Sequence, residues 1–192
     1  NVIRKQELAS YGKELALNGL SALIFVVVGF LVYISFRFEW KFAVAAILTT
    51  LHDVLIVAGF FALTGREFDL TVLAGLLSVM GFSINDTIVV FDRVRENFRT
   101  LRLPPEEILN RSINQTLSRT IITSFVALLT VLALYFFAGA SLRGMAESQI
   151  IGIVIGTLSS IFVACPLLHA FGANKQDLMP RLRDDAELAR RP

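Results

Sequence analysis

Apolar residues in this chain run in blocks of about 20, the length at which a helix spans a hydrocarbon core, with short polar stretches between them. Five blocks predict five transmembrane helices, at about 15–36, 42–64, 70–91, 120–138 and 150–171. The first and fourth carry no charge, the second holds His52 and Asp53, the third holds Asp86, and the fifth ends near Pro166 and His169. The pattern predicts an all-α membrane protein: a polar lead-in over 1–14, a five-helix domain over 15–171 with a loop over 92–119, and a tail over 172–192. Inside that loop, Pro104 and Pro105 precede Glu106 and Glu107, and Leu109, Ile113 and Leu117 share one helical face. These residues predict a short helix lying on the membrane surface before the chain re-enters at Arg119.

Composition agrees with the pattern. Of 192 residues 55% are hydrophobic and 18% charged, against about 25% charged in an ordinary soluble domain. Mean hydropathy is +0.66. The basic residues flank apolar spans and form no aromatic-rich patch, which argues against nucleic-acid binding. Cys165, the single cysteine, excludes an intrachain disulfide. Residues 1–14 are too polar for a signal peptide, and with no initiator Met the chain is expected to have lost an amino-terminal portion.

Five crossings put the two ends on opposite sides. One side carries five basic residues: Arg4, Lys5, Lys13, Arg66 and Arg143. The other carries thirteen: Arg37, Lys41, the six arginines from Arg93 to Arg119, and five residues from Lys175 on. By the positive-inside rule this second side, with the carboxyl terminus, is cytoplasmic. Phe38 and Trp40 beside Lys41 have the character of an interfacial anchor.

Chemistry concentrates in the ionisable residues of the spans. Each costs about 2.5–3.5 kcal/mol to insert, so they persist where they face a bundle interior, a wet cavity or a partner. Asp53 lies near the middle of its span with Thr49, Thr50 and His52 on the preceding turn. It reads either as a working acid or as a contact satisfied locally by Thr49 and His52. Asp86 lies about 7.5 Å inside Phe91 at 1.5 Å per residue, with Ser83, Asn85 and Thr87 close by. It reads as a working acid or a polar contact between helices. Arg119 opens the fourth span on the side toward which Asp86 is displaced, so it is either a partner for that acid or a snorkelling interface residue. His52 reads as a neutral hydrogen-bonding residue, since no second His or Cys stands at metal-ligand spacing. Ser148, Gly152, Gly156, Ser160 and Ala164 recur every four residues on the fifth helix, and Gly75, Ser78 and Gly81 every three on the third, marking close helix packing. No catalytic triad, phosphate loop or nucleotide-binding glycine pattern is present, so an enzyme is not expected.

The run GLLSVMGFSINDTIVVFDRVREN, from Gly75 to Asn97, closely resembles the signature of the SecF family of bacterial protein-export subunits. GKELALNGLSAL from Gly12 to Leu23, His52-Asp53-Val54, and NQTLSRTIITS from Asn114 to Ser124 resemble further segments of that family, extending the likeness over roughly residues 8–172. The resemblance implies half of a bundle like that of the resistance-nodulation-division transporters, in the bacterial inner membrane. It implies a partner SecD, separate or fused, the SecYEG translocon, YajC and YidC as associates, and use of the proton-motive force to draw preproteins outward. It further implies a proton relay through Asp86 with Arg119 as its partner and Asp53 as a third member, supported by Asn85, Thr87 and His52. Protons are the coupling ion, and no other cofactor is implied. The family has six helices with a large periplasmic domain after the first, so that helix and the domain, where preprotein is expected to bind, lie outside this chain. The alternatives are a scaffold for SecD or the translocon that conducts no protons, and an exporter of lipids or small molecules.

Overall fold

Where there is no water to bond the backbone, a span must satisfy its own N–H and C=O groups, and an apolar run of this length does so as a helix. The computed structural model describes residues 2–37 and 40–172. The elements are α1 (Val2–Arg37), α2 (Trp40–Thr64), α3 (Leu70–Thr100), α4 (Pro105–Phe137), a 3₁₀ turn (Ala140–Leu142), α5 (Arg143–Phe162) and α6 (Ala164–Ala170), with no strand among the described residues. Five stretches are long and apolar enough to cross a membrane, the last made of the 3₁₀ turn, α5 and α6 together.

The basic stretch differs from the sequence reading. Residues 92–100 and 105–119, expected within a loop, are the last turns of α3 and the first turns of α4, leaving only 101–104 as a connection. The expected surface helix is therefore the start of α4, unbroken from Pro105 to Phe137. Its cause is local. Pro105 occupies the first helical position, Glu106 and Glu107 complement the amino-terminal dipole, and no helix breaker follows before Phe137. Asn97 fastens the hairpin by donating to Ser112 Oγ at 2.8 Å and Gln115 Oε1 at 2.9 Å.

Turns elsewhere have readable signals. Gly65, at φ 64°, ends α2, and the Arg66 N–H reaches back to the Phe61 carbonyl at 3.3 Å. Asp69 caps α3 by accepting from the Thr71 and Val72 N–H groups at 3.0 and 2.9 Å. Pro166 has no N–H to offer the Phe162 carbonyl, and the helix breaks at Val163, between α5 and α6.

α3 is central and packs most extensively on α5, with α2 and α4 on its flanks. The small-residue ladder of α5 is the buried face of this contact. A β-carbon at Gly75 would overlap the Ser148 hydroxyl, and one at Gly152 would lie 2.8 Å from Val79 Cβ. Gly144, which the ladder did not include, is equally constrained, with Val72 Cγ2 at 2.9 Å from its β-carbon position. Gly81 is the exception: nothing lies within 4 Å of its β-carbon position, so it is not a packing glycine among the described residues.

An apolar cluster near the arginine-rich end includes Phe42, Ile84, Phe91, Phe98, Leu109, Cys165 and Leu168, and a second one at the opposite end includes Val57, Phe61, Val72, Leu76 and Met80. Large apolar side chains point outward all around, with Phe25 82% and Phe137 88% exposed, as a lipid-facing surface requires. Trp40 is exposed at the start of α2, and Lys41 Nζ donates to the Gly172 carbonyl at 3.0 Å. Phe38 and the tail from residue 173 lie outside the described residues.

Candidate functional site

Between the two apolar clusters lies a polar layer built from four helices. α2 contributes Asp53, which is 0% exposed, and α3 contributes Asp86, 4% exposed. α5 supplies a donor to each from adjacent positions. Ser159 Oγ lies 2.8 Å from Asp53 Oδ2, and Ser160 Oγ lies 3.3 Å from Asp86 Oδ2. Ser83 of α3 donates to Asp53 Oδ2 at 2.5 Å, and Thr120 of α4 donates to Asp86 Oδ1 at 3.2 Å. The His52 ring stands beside Asp53, with Nδ1 at 3.1 Å from Oδ1, while its side chain is 42% exposed. Gly156 lies against the same layer, its β-carbon position at ordinary contact distance from Asp53 Oδ2 (3.8 Å) and Ser83 Cβ (3.4 Å).

The local cause of this geometry is helical period. Ser83 and Asp86 are three apart and share the buried face of α3, whereas Asn85 is turned to the exposed side. Thr49 and Thr50 bond back to the Ala45 and Ala46 carbonyls of their own helix at 2.9 Å each, so neither satisfies Asp53. Asp53 is held mainly from α3 and α5, and the local reading through Thr49 does not hold.

Hydroxyls are unusual partners for a buried acid because they work in both directions. A serine or threonine donates to a carboxylate and accepts from a protonated carboxyl group. Each acid can therefore change its protonation state without leaving a buried polar atom unpaired, which would cost about 1–3 kcal/mol.

Arg119 does not join the layer. No ion pair forms between it and Asp86 among the described residues, although it stands next to Thr120, which bonds that acid. It is exposed and lines a cleft of about 300 Å³ at the arginine-rich end, with Ile88, Asp92, Arg93, Gln115 and Thr116. Thr116, which also lines that cleft, stands one turn before Thr120 on the same face of α4, and Thr120 bonds Asp86. Thr87 is buried, with its hydroxyl making no hydrogen bond. Asn85 faces outward and supports neither acid.

The sequence reading found both acids, His52 and Ser160, the last only as a packing residue. It missed Ser159 and Thr120, and it associated Ser83 with Asp86 where the structure gives it to Asp53. The signal was present but weak: Ser159-Ser160 is a polar pair inside an otherwise apolar run.

Comparison with known proteins agrees with this architecture. Residues 6–174 match the family described as protein export membrane protein SecD/SecF, C-terminal. The chain is 47% identical over 170 residues to the protein translocase subunit SecF of Vibrio alginolyticus, covering 88% of this chain and 54% of that protein. It is 50% identical over 161 residues to the protein translocase subunit SecDF of Thermus thermophilus, covering 83% of this chain and 22% of that one. The crystal structure of that translocon-associated SecDF superposes with a TM-score of 0.79 over 84% of this chain and 22% of its own. The chain thus spans about half the length of the SecF relatives and under a quarter of the SecDF relatives. With the family match over residues 6–174 and the shared fold in agreement, this multi-pass membrane chain belongs to the SecD/SecF protein-export family, whose C-terminal region it carries.

Proposed function

We propose that this chain is the membrane part of a subunit that uses the proton-motive force to assist preprotein translocation across the bacterial inner membrane through SecYEG. It works beside SecD, as a separate subunit or fused to it, with YajC and YidC as candidate associates. The arginine-rich end faces the cytoplasm, in keeping with the thirteen-to-five distribution of basic residues. The observation that carries the reading is the polar layer: two buried acids from different helices, each bonded to hydroxyls that accommodate either protonation state.

In this scheme Asp86 takes and releases the coupling proton. The cleft beneath Arg119 is its approach from the cytoplasmic side, and Arg119 acts on it through its field at a distance. Asp53 is the second acid of the relay. One charge crossing 100 mV supplies about 2.3 kcal/mol, whereas reversing a two-state equilibrium from 1:99 to 99:1 takes about 5.5 kcal/mol. A single proton therefore drives the helices only between states that are nearly balanced, or with a pH gradient adding to the potential.

The test is Asp86→Asn in the intact complex reconstituted with its translocon. Proton-driven export is expected to fall to the level seen without a proton gradient, and export at the wild-type rate would overturn the relay. A second reading, a scaffold that conducts no protons, draws on the tight α3–α5 contact at Gly75 and Gly152. It expects Asp86→Asn to be silent and bulky residues at Gly152 to break assembly.

A further inference from the structure

Ser159 and Ser160 each have two acceptors within reach. Ser159 Oγ lies 2.8 Å from Asp53 Oδ2 and 3.2 Å from the Gly156 carbonyl of its own helix. Ser160 Oγ lies 3.3 Å from Asp86 Oδ2 and 2.9 Å from the Thr157 carbonyl. A hydroxyl has one proton to donate. While its acid is ionised, that proton belongs to the carboxylate. Once the acid is protonated, the carboxyl O–H donates to the serine oxygen, and the serine proton turns to the helix carbonyl.

From this geometry we infer that Ser159 and Ser160 are positioning residues that couple the protonation of Asp53 to that of Asp86 through the backbone of α5. The link is the helix ladder. In an α-helix the carbonyl of Gly156 accepts from the backbone N–H of residue 160, four positions on. When Asp53 is protonated, the Ser159 hydroxyl competes for that same carbonyl. Side-chain bonding of this kind loosens and bends a helix, and the residue whose N–H is displaced is Ser160, the donor to Asp86. Protonation of Asp86 acts on the next carbonyl in turn, that of Thr157. Both events fall on the last turn before the break at Val163, where the ladder already lacks the bond that Pro166 cannot supply. No covalent bond changes: one proton arrives on a carboxylate, and one hydroxyl hydrogen rotates from that carboxylate to a carbonyl.

The titratable neighbours are few. His52 of α2 stands 3.1 Å from Asp53, and Arg119 of α4, adjacent to Thr120, is the nearby cation on the Asp86 side and makes no ion pair with that acid among the described residues. At this level α5 offers hydroxyls, α1 contributes apolar side chains such as Val26, Val27 and Phe30, and α6 places the Cys165 thiol in the apolar cluster at the arginine-rich end. α3 adds Ser83, which donates to Asp53 three residues before Asp86, but α5 alone bonds both acids, through Ser159 and Ser160.

The inference rests on the proposed export role for its purpose, but its chemistry is separable from that role. The experiment is infrared titration of the full-length subunit with its partner in lipid nanodiscs, following the carboxylic C=O band that disappears in Asp86→Asn. In Ser159→Ala, which alters a residue bonded to Asp53 and not to Asp86, the Asp86 midpoint is expected to move by about one pH unit, the scale at which two sites titrate as a pair. Asp53→Asn is expected to move it likewise, and Ser159→Thr, which retains the hydroxyl, to restore it. An Asp86 midpoint that stays at the wild-type value in Asp53→Asn overturns the coupling, even if Ser159→Ala fails to fold. Export that survives Asp86→Asn would remove the relay role and leave the titration result standing, so the two failures are distinguishable.

Discussion

Gly152 of α5 lies so close to Val79 of α3 that a methyl group has no place between them: its β-carbon would sit 2.8 Å from Val79 Cβ. The polar layer depends on this contact, because it helps set the separation at which Ser159 reaches Asp53 and Ser160 reaches Asp86, both about two turns further along α5.

Overpacking a tight contact typically costs about 1–3 kcal/mol. Gly152→Leu is expected to lose at least that much stability, read as earlier unfolding in a detergent titration. Gly81→Ala, made in open space on α3, is expected to be neutral or slightly stabilising, since alanine favours helix over glycine by about 1 kcal/mol. Equal losses in the two variants would contradict the α3–α5 packing.

Arg119 is exposed and makes no ion pair among the described residues, so Arg119→Ala is expected to leave unfolding within about 0.5 kcal/mol of wild type, as for an ordinary surface change. Proton flux through the reconstituted complex should nonetheless fall, because the charge at the mouth of the cleft is gone. A large loss of stability would show that Arg119 is a structural partner of Asp86 after all.

Asn97 joins α3 to α4 through Ser112 and Gln115. Replacing it with Leu leaves the buried Ser112 hydroxyl its bond to the Ile108 carbonyl at 2.7 Å but removes both bonds between the helices. A loss of about 1–3 kcal/mol is expected, with hydrogen exchange accelerating first around 101–104. Unchanged exchange there would mean that apolar packing alone holds the hairpin.

Asp69 lies outside the spans, at the start of α3. Partial burial pushes its carboxyl upward, but the Val72 N–H, the Thr71 hydroxyl and the Thr71 N–H together outweigh it, and the net effect holds the carboxyl below its usual value. Its folded value is thus lower than its unfolded one. The cap's charge-dependent stabilisation is complete above the ordinary carboxylate value of about 4 and is lost as pH falls through the depressed folded value. Asp69→Ala is expected to be about 1 kcal/mol less stable than wild type at neutral pH. The gap should narrow below pH of about 4, as seen in paired unfolding curves, and a gap that widens with acidification would reverse this assignment.

How much of this was legible beforehand varies residue by residue. The apolar runs identified the helices because a chain out of water has few other ways to pair its backbone. Asp53 and Asp86 stood out because a charge in such a run is expensive and is retained only with a reason. The ladder of Ser148, Gly152, Gly156, Ser160 and Ala164 marked the buried face of α5 because four-residue spacing keeps side chains on one side of a helix. Residues 92–100 were expected within a loop because they are polar, yet they continue α3, and the short helix expected after Pro104 is the start of α4 and not a separate surface element.

Sequence alone determined the five apolar spans, the presence of two intramembrane acids and the family likeness, since these follow from local composition and residue order. Tertiary structure decided the partners: Ser83 and Ser159 for Asp53, Thr120 and Ser160 for Asp86, open space at Gly81, an outward Asn85 and an Arg119 out of reach. The physical reason is rotation. Neighbouring positions on a helix differ by about 100°, so which hydroxyl meets which carboxylate depends on how each helix is turned and how closely α3 and α5 approach. That approach is governed by the glycine contacts between the helices, which no single stretch of sequence contains.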